Sequence, residues 1–288
     1  MNRFRQPRFE VLSRSIGPRL VSILSGKGGV GKSVIAFNLA ERLAHAGHET
    51  LVVDADIACG NLHILGNVDP RHGLDEFVDG RVGLADAVQR IANRLFLLPS
   101  VSGGPADSLS TADAAVQTVK RLRDEGRDFQ FIVIDHGSGL SETATLMAHG
   151  SDLNILILIP ELTSISDCYG LFKYLLKANS SIDCSLLLNR VESGEEAEFI
   201  RAKFLAMADM FLGRVPGYLG AVHESTGIRQ AVARQTSVAL AAPQDQSLQD
   251  LTVISRSLVG LLGAPLYAAG TNQENEINKT PVTADTRG

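Results

Sequence analysis

Cysteine is scarce in this chain. Cys59, Cys168 and Cys184 are the only three in 288 residues, odd in number and far apart. They form neither a disulfide framework nor a close-spaced zinc motif, which points to a reducing cytosol. No C-x-x-C pair is present to carry an iron–sulfur cluster. Long apolar runs are missing too. The most apolar stretch, LNILILIP from Leu153, is far short of the roughly 20 residues that span a bilayer. The first nineteen residues carry five arginines and no continuous apolar segment, so they do not read as a secretory signal. There is no internal repeat and no excess of positive charge: the net charge is -5, and between Arg190 and Gly270 seven Lys or Arg face eight Asp or Glu. Nonspecific DNA binding is mostly phosphate neutralisation, so DNA is disfavoured as a partner.

Apolar residues, by contrast, make up 44% of the chain, enough at this length for a large buried core. From Leu20 onward, short apolar runs alternate with helical stretches, the pattern of βαβ units. The predicted strands are LVSILS, TLVVDAD, RLFLLP, FQFIVID, LNILILIP, CSLLLN and GYLGAV. Their near-continuous apolarity fits strands covered on both faces, so the expected fold is α/β, a doubly wound and mostly parallel sheet with helices on both faces. Helices are predicted over 31–46, 111–125, 163–178, 194–211 and 246–263. In the last, Leu248, Leu251, Ile254, Leu258 and Leu261 recur at helical spacing and should face the sheet. The expected organisation is a basic arm over 1–19, one domain over 20–268, and a polar tail over 269–288 that cannot offset its ordering entropy.

The decisive segment is SGKGGVGKS, Ser25 to Ser33, directly after one predicted strand and before one predicted helix. It satisfies G-x-x-x-x-G-K-[ST] through Gly26, Gly31, Lys32 and Ser33. The loop Gly26, Lys27, Gly28, Gly29, Val30, Gly31 can turn successive N–H groups inward at phosphate oxygens, and the helix start adds its dipole. Lys32 then reaches the β- and γ-phosphates and the Ser33 hydroxyl can ligate Mg²⁺. ATP with Mg²⁺ is the implied ligand.

Three carboxylates end strands at the same predicted edge. Asp54 and Asp56 close TLVVDAD, where they can share a face; Asp56 near the γ-phosphate could orient the attacking water, and capping of the following turn is the plainer alternative. Asp135 closes FQFIVID as a carboxylate that holds Mg²⁺ directly or through water. The metal set is thus Ser33, Asp135 and Asp54. His136 invites a catalytic reading, but this chemistry needs positioning more than a strong base, and a loop side chain is expected. Asn189 and Arg190 end CSLLLNR, where an amide offers a donor and an acceptor to a base; a turn-forming asparagine is the alternative.

Lys27 is not required by the general motif. With it the loop resembles the deviant K-G-G-x-G-K-[ST] form of the MinD/ParA family of P-loop ATPases. That resemblance implies that Lys27 reaches the partner's phosphates across an ATP-dependent homodimer, with Lys27, Lys32 and Asp56 the catalytic set; an exposed loop lysine is the alternative. It also implies that DAD is switch I, DHGSG is switch II with Ser138 in place of an alanine, and Asn189 reads adenine. Asn61 also falls on a frequent family position. Where relatives have an I-P-x-D segment beside the base, this chain has Val222, His223 and Glu224. The segments DADIACGNLHILG, PELTSISDCYGLFKYL, LNRVESGEE and YLGAVHESTGIRQAV look most like the flagellar-number regulators of the FlhG/FleN branch. The implied function is a slow, partner-stimulated ATPase that controls the placement or number of flagella. Division-site placement of the MinD type and DNA partition of the ParA type are the rivals. Such proteins are cytoplasmic and can be recruited to the inner face of the cell membrane. Only Arg256, Lys279 and Arg287 are basic after Leu248, so any peripheral membrane contact is expected to be weak. The usual glutamine- and leucine-containing activator motif of the branch is not seen in the arginine-rich arm.

Overall fold

A computed structural model describes residues 17–57, 60–100, 109 and 111–263. Among them are the strands β1 (Arg19–Leu24), β2 (Thr50–Ala55), β3 (Gln89–Ala92), β4 (Leu95–Leu98), β5 (Phe131–His136), β6 (Leu153–Leu158), β7 (Cys184–Val191) and β8 (Gly217–His223). They form one sheet in the order β3-β4-β2-β5-β1-β6-β7-β8. Every pairing is parallel except that of β3 with β4. The long helices are α1 (Lys32–His45), α5 (Ala112–Glu125), α7 (Leu162–Ala178), α8 (Gly194–Leu212) and α11 (Gln246–Leu262). Shorter ones are α2 (Leu62–Leu65), α3 (Leu74–Val78), α4 (Leu84–Ala87), α6 (Glu142–His149), α9 (Thr226–Ala233) and α10 (Val238–Ala241). All seven predicted strands and all five predicted helices are present.

Successive strand residues point to opposite faces. Val21, Ile23, Val52, Val133, Ile155 and Leu187 pack with α1 and α11 on one side. On the other side, Leu24, Leu156 and Leu186 meet α7 and α8, while Leu51, Val53 and Ile132 meet the α3–α6 segment. Leu251, Ile254 and Leu258 of α11 are buried as expected, whereas Leu261 is 63% exposed and lies off that stripe. Arg19 is the first residue of β1, paired with Phe131, so the sheet takes in the last residue assigned to the basic arm. The remainder of that arm up to residue 16, Cys59, and the chain beyond Gly263 lie outside the described residues.

The unpredicted elements are short. β3 alternates half-buried and exposed residues at a sheet edge, so it lacks the apolar run that marked the other strands. Helices α6 and α9 do carry a start signal: the Ser141 and Ser225 hydroxyls accept from the N–H groups of Ala144 and Ile228.

Candidate functional site

The loop between β1 and α1 closes on itself through two glycines that admit no side chain. A Cβ on Gly26 would stand 2.2 Å from the Asp167 carbonyl oxygen of α7. Gly31 has φ +88°, and its Cβ would meet the Asn189 amide nitrogen at 2.5 Å. Gly31 is also the N-cap residue of α1, so the positive end of that helix faces the loop. The Gly139 N–H donates to the Ser25 carbonyl at 2.9 Å, which ties the segment after β5 to the loop.

Lys32, the first residue of α1, turns its ammonium to Asp135 at the end of β5, with Nζ–Oδ1 2.9 Å and side chains 8% and 1% exposed. Burial pushes the Asp135 carboxyl above its ordinary range, opposed by the Lys32 charge and a hydrogen bond from Ser33. The expected Mg²⁺ residues Ser33 and Asp135 therefore touch. Both present hard oxygen donors, which fits that ion. Among the described residues no cluster of three or more His, Cys, Asp or Glu is arranged to hold a metal.

Asp54 pairs in register with Asp135. Its Oδ2 accepts from the Leu62 N–H at 3.0 Å and its Oδ1 from the Asp56 N–H at 3.3 Å. Both oxygens are engaged in the turn, which is the capping role raised above; metal ligation would have to displace one of these bonds. Asp56 stands over the next segment, its carboxyl 3.7 Å from where a Cβ on Gly137 would lie. Asn61 is exposed at the start of α2.

His136 corrects an expectation. It is the last residue of β5, fully buried, and not a loop side chain. Its Nε2 meets the Ser22 hydroxyl at 2.8 Å, and Ser22 meets Ser151 at 2.8 Å. Burial pulls the imidazole from 6.5 down to about 3, with the Lys32 charge adding, so the ring is neutral and structural. Asp54 moves the other way: burial lifts it from 3.8 to about 7, with the charges of Asp135 and Asp56 adding and the two N–H bonds opposing.

These shifts have opposite consequences for stability. A carboxyl raised on folding makes the folded state hold the extra proton, so its contribution is full below pH 3.8 and is lost as pH rises through 7. A histidine lowered on folding contributes fully above pH 6.5, and that contribution is lost as pH falls towards 3. Between about pH 4 and 6.5 the two slopes cancel, each at most about 1.4 kcal/mol per pH unit. Asp54→Asn is expected to unmask the histidine: relative to wild type, urea unfolding of the variant should lose roughly 2 kcal/mol between pH 6.5 and 4.5. Parallel pH profiles for the two proteins would refute this pairing.

Lys27 is held by residues of its own chain. Its ammonium lies 2.7 Å from Glu161 Oε2 and 3.1 Å from Thr163 Oγ1, where α7 begins. Sequence reasoning missed Glu161, which follows the apolar strand β6 at the sheet edge where β5 carries Asp135. Cys168 and Cys184 are buried thiols raised by that burial, Cys184 to about 12, and are chemically inert.

Beside the loop lies a cavity of about 520 Å³ lined by Gly31, Val34, Asn189, Arg190, His223 and Glu224, with α9 on its far side. Small-molecule sites run from roughly 300 to 1,000 Å³. The Asn189 amide nitrogen donates to the Val30 carbonyl at 2.7 Å, while its Oδ1 is buried with no partner. A buried unpaired acceptor is costly unless a ligand supplies the donor, so the residues present fit a base with an amino group. Arg190, at φ +59°, stands 3.8 Å from Glu224 at the cavity mouth.

The sequence profile of the CobQ/CobB/MinD/ParA nucleotide binding domain matches residues 21–238. The chain is 26% identical over 229 residues to the antiactivator FleN of Pseudomonas aeruginosa, covering 80% of this chain and 82% of that one. It is 29% identical over 248 residues to the flagellum site-determining protein YlxH of Helicobacter pylori, covering 85% and 83%. Its fold matches the septum site-determining protein MinD of Pyrococcus horikoshii, solved with Mg-ADP, at a TM-score of 0.71 and 22% identity over 85% of this chain and 98% of that one.

Proposed function

The chain belongs to the CobQ/CobB/MinD/ParA family of nucleotide-binding domains, and on that premise we propose that it is an ATP-dependent dimerising switch that hydrolyses ATP and controls the placement or number of flagella. The observation that carries the reading is the meeting of Lys32, Ser33 and Asp135 at the head of α1. An ammonium, a hydroxyl and a carboxylate are thereby brought to the point where β- and γ-phosphates and their cation would sit. Ser33 and Asp135 would hold Mg²⁺, which would supply charge neutralisation there. Lys32 moves from Asp135 to the phosphates, the loop N–H groups orient them, and Asp56 positions the attacking water. Arg190 and Asn189 frame the base. The flagellar role is supported by relatives named for that process, each matched over more than four-fifths of its own length.

Lys27 supplies the contact between protomers in this scheme. Lys27→Ala is expected to bind ATP within about threefold of wild type, because only an exposed ion pair is lost, yet to stay monomeric. Light scattering in the presence of ATP decides it: a variant that dimerises as fully as wild type contradicts the cross-dimer role. In cells, deletion of the gene should alter flagellar number without producing minicells, and the reverse outcome would favour division-site placement. No described helix is long and apolar enough to cross a membrane.

A further inference from the structure

Helix α8 has two apolar faces, and the core accounts for one of them. Ala197, Ile200, Phe204 and Ala208 recur at three- and four-residue spacing and are buried with β7 and α7. A surface helix is normally polar on the side away from the core. Here that side carries Phe199, Met210 and Phe211, which are 65%, 75% and 68% exposed. Phe199, Ala202, Ala206 and Met210 follow one another at helical intervals, so two large side chains bracket a floor of two alanines, all four open to solvent. Glu195, Glu198 and Asp209 border this strip and are exposed as well. Glu198 shares its charge with Arg201 at 2.8 Å, whose guanidinium lies over the Tyr218 ring of β8.

A strip of that kind suits a segment carrying both apolar and basic side chains. The first sixteen residues, MNRFRQPRFEVLSRSI, hold four arginines against one glutamate, interleaved with Phe4, Phe9, Leu12 and Ile16. Other occupants fit less well. The segment after Gly263 carries Glu274, Glu276 and Asp285 against Lys279 and Arg287, the same sign as the strip. A second copy would bring two acidic borders together, and an anionic lipid surface would repel them. The arm is also attached at the right place. β1 opens at Arg19, with β6 and β7 opening beside it, Val21 in register with Leu153 and Asn154 with Cys184. α8 ends at the same edge, because Arg214 donates to the Ile182 carbonyl just before β7 at 3.0 Å. Two strand spacings and one helix layer amount to about 20 Å. Sixteen extended residues reach roughly 50 Å, enough to cross that gap and follow α8 for its length of about 28 Å.

We propose that residues 1–16 dock in cis along the outer face of α8, running from Met210 towards Glu195, with apolar side chains over Phe199 and Met210 and arginines beside Glu195, Glu198 and Asp209. The arm is then covered by its own protomer, and a partner that takes hold of it must first displace it from α8.

Both tests use the full chain. The Met210 methyl resonance reports on the strip directly: it should shift in Phe4→Ser/Phe9→Ser, two changes far away in the sequence, and by the same amount at every protein concentration. An unmoved resonance overturns the proposal. So does a shift that disappears on dilution, which assigns the strip to a second copy, or a resonance that moves with phosphatidylglycerol vesicles but not in the arm variant, which assigns it to a membrane. Trypsin gives the reciprocal readout. Phe199→Ser/Met210→Ser changes only exposed side chains, so thermal unfolding should match wild type while cleavage after Arg5 and Arg8 runs about tenfold faster, tracking the population of undocked arm. Equal cleavage rates in the two proteins overturn the proposal.

Discussion

Lys32→Ala is expected to show no measurable ATP binding by isothermal titration. The side chain is the cation of the loop and is itself buried against Asp135, so its removal deletes a charge-assisted contact in a site of low dielectric. The same change leaves a buried carboxylate without its ammonium. Breaking one side of a buried ion pair typically destabilises a protein by about 3–5 kcal/mol. A loss of ATP binding could therefore reflect a damaged fold. The double variant Lys32→Ala/Asp135→Asn separates the two effects: with the carboxylate neutralised, thermal stability should return towards wild type while ATP binding stays absent. Tight ATP binding by the single variant would defeat the phosphate-loop assignment.

Asp56→Ala should bind ATP and dimerise like wild type but release phosphate slowly, by a factor of about 10² to 10⁴, the range supplied by a positioned acid or base. The expectation rests on place. Asp56 is carried on the turn that Asp54 organises, and its carboxyl stands over Gly137 in the segment after Asp135. Its expected action is on the attacking water, so the loss should fall on turnover and not on ground-state binding. Single-turnover phosphate release, paired with light scattering, reads both properties on one sample. Unimpaired release would show that another group positions the water.

Much of this was legible before any coordinates. The strands read clearly because those covered on both faces are apolar along their length, and the long helices because their apolar faces recur at helical spacing. The phosphate loop was legible as a local motif whose parts lie within nine residues of one another. What escaped depends on pairs brought together by packing. Lys27 meets Glu161 across a separation of 134 residues, and His223 meets Asp250 only because α11 packs on β8. His136 misled for a related reason: strand β5 runs one residue past its last aspartate, and Ser22 and Ser151 supply the partners that let a histidine be buried. No local pattern announces such partners.

The contact between Lys27 and Glu161 sets the thermodynamic character of the proposed switch. Its side chains are 37% and 53% exposed, and ion pairs so placed contribute only about 0–1 kcal/mol. In the proposed dimer each protomer would give up one such pair to reach its partner's phosphate, so breaking the pair opposes dimerisation only weakly. An equilibrium of that kind has a shallow starting well. It tips with whatever distinguishes triphosphate from diphosphate, and it relaxes as soon as that difference is removed.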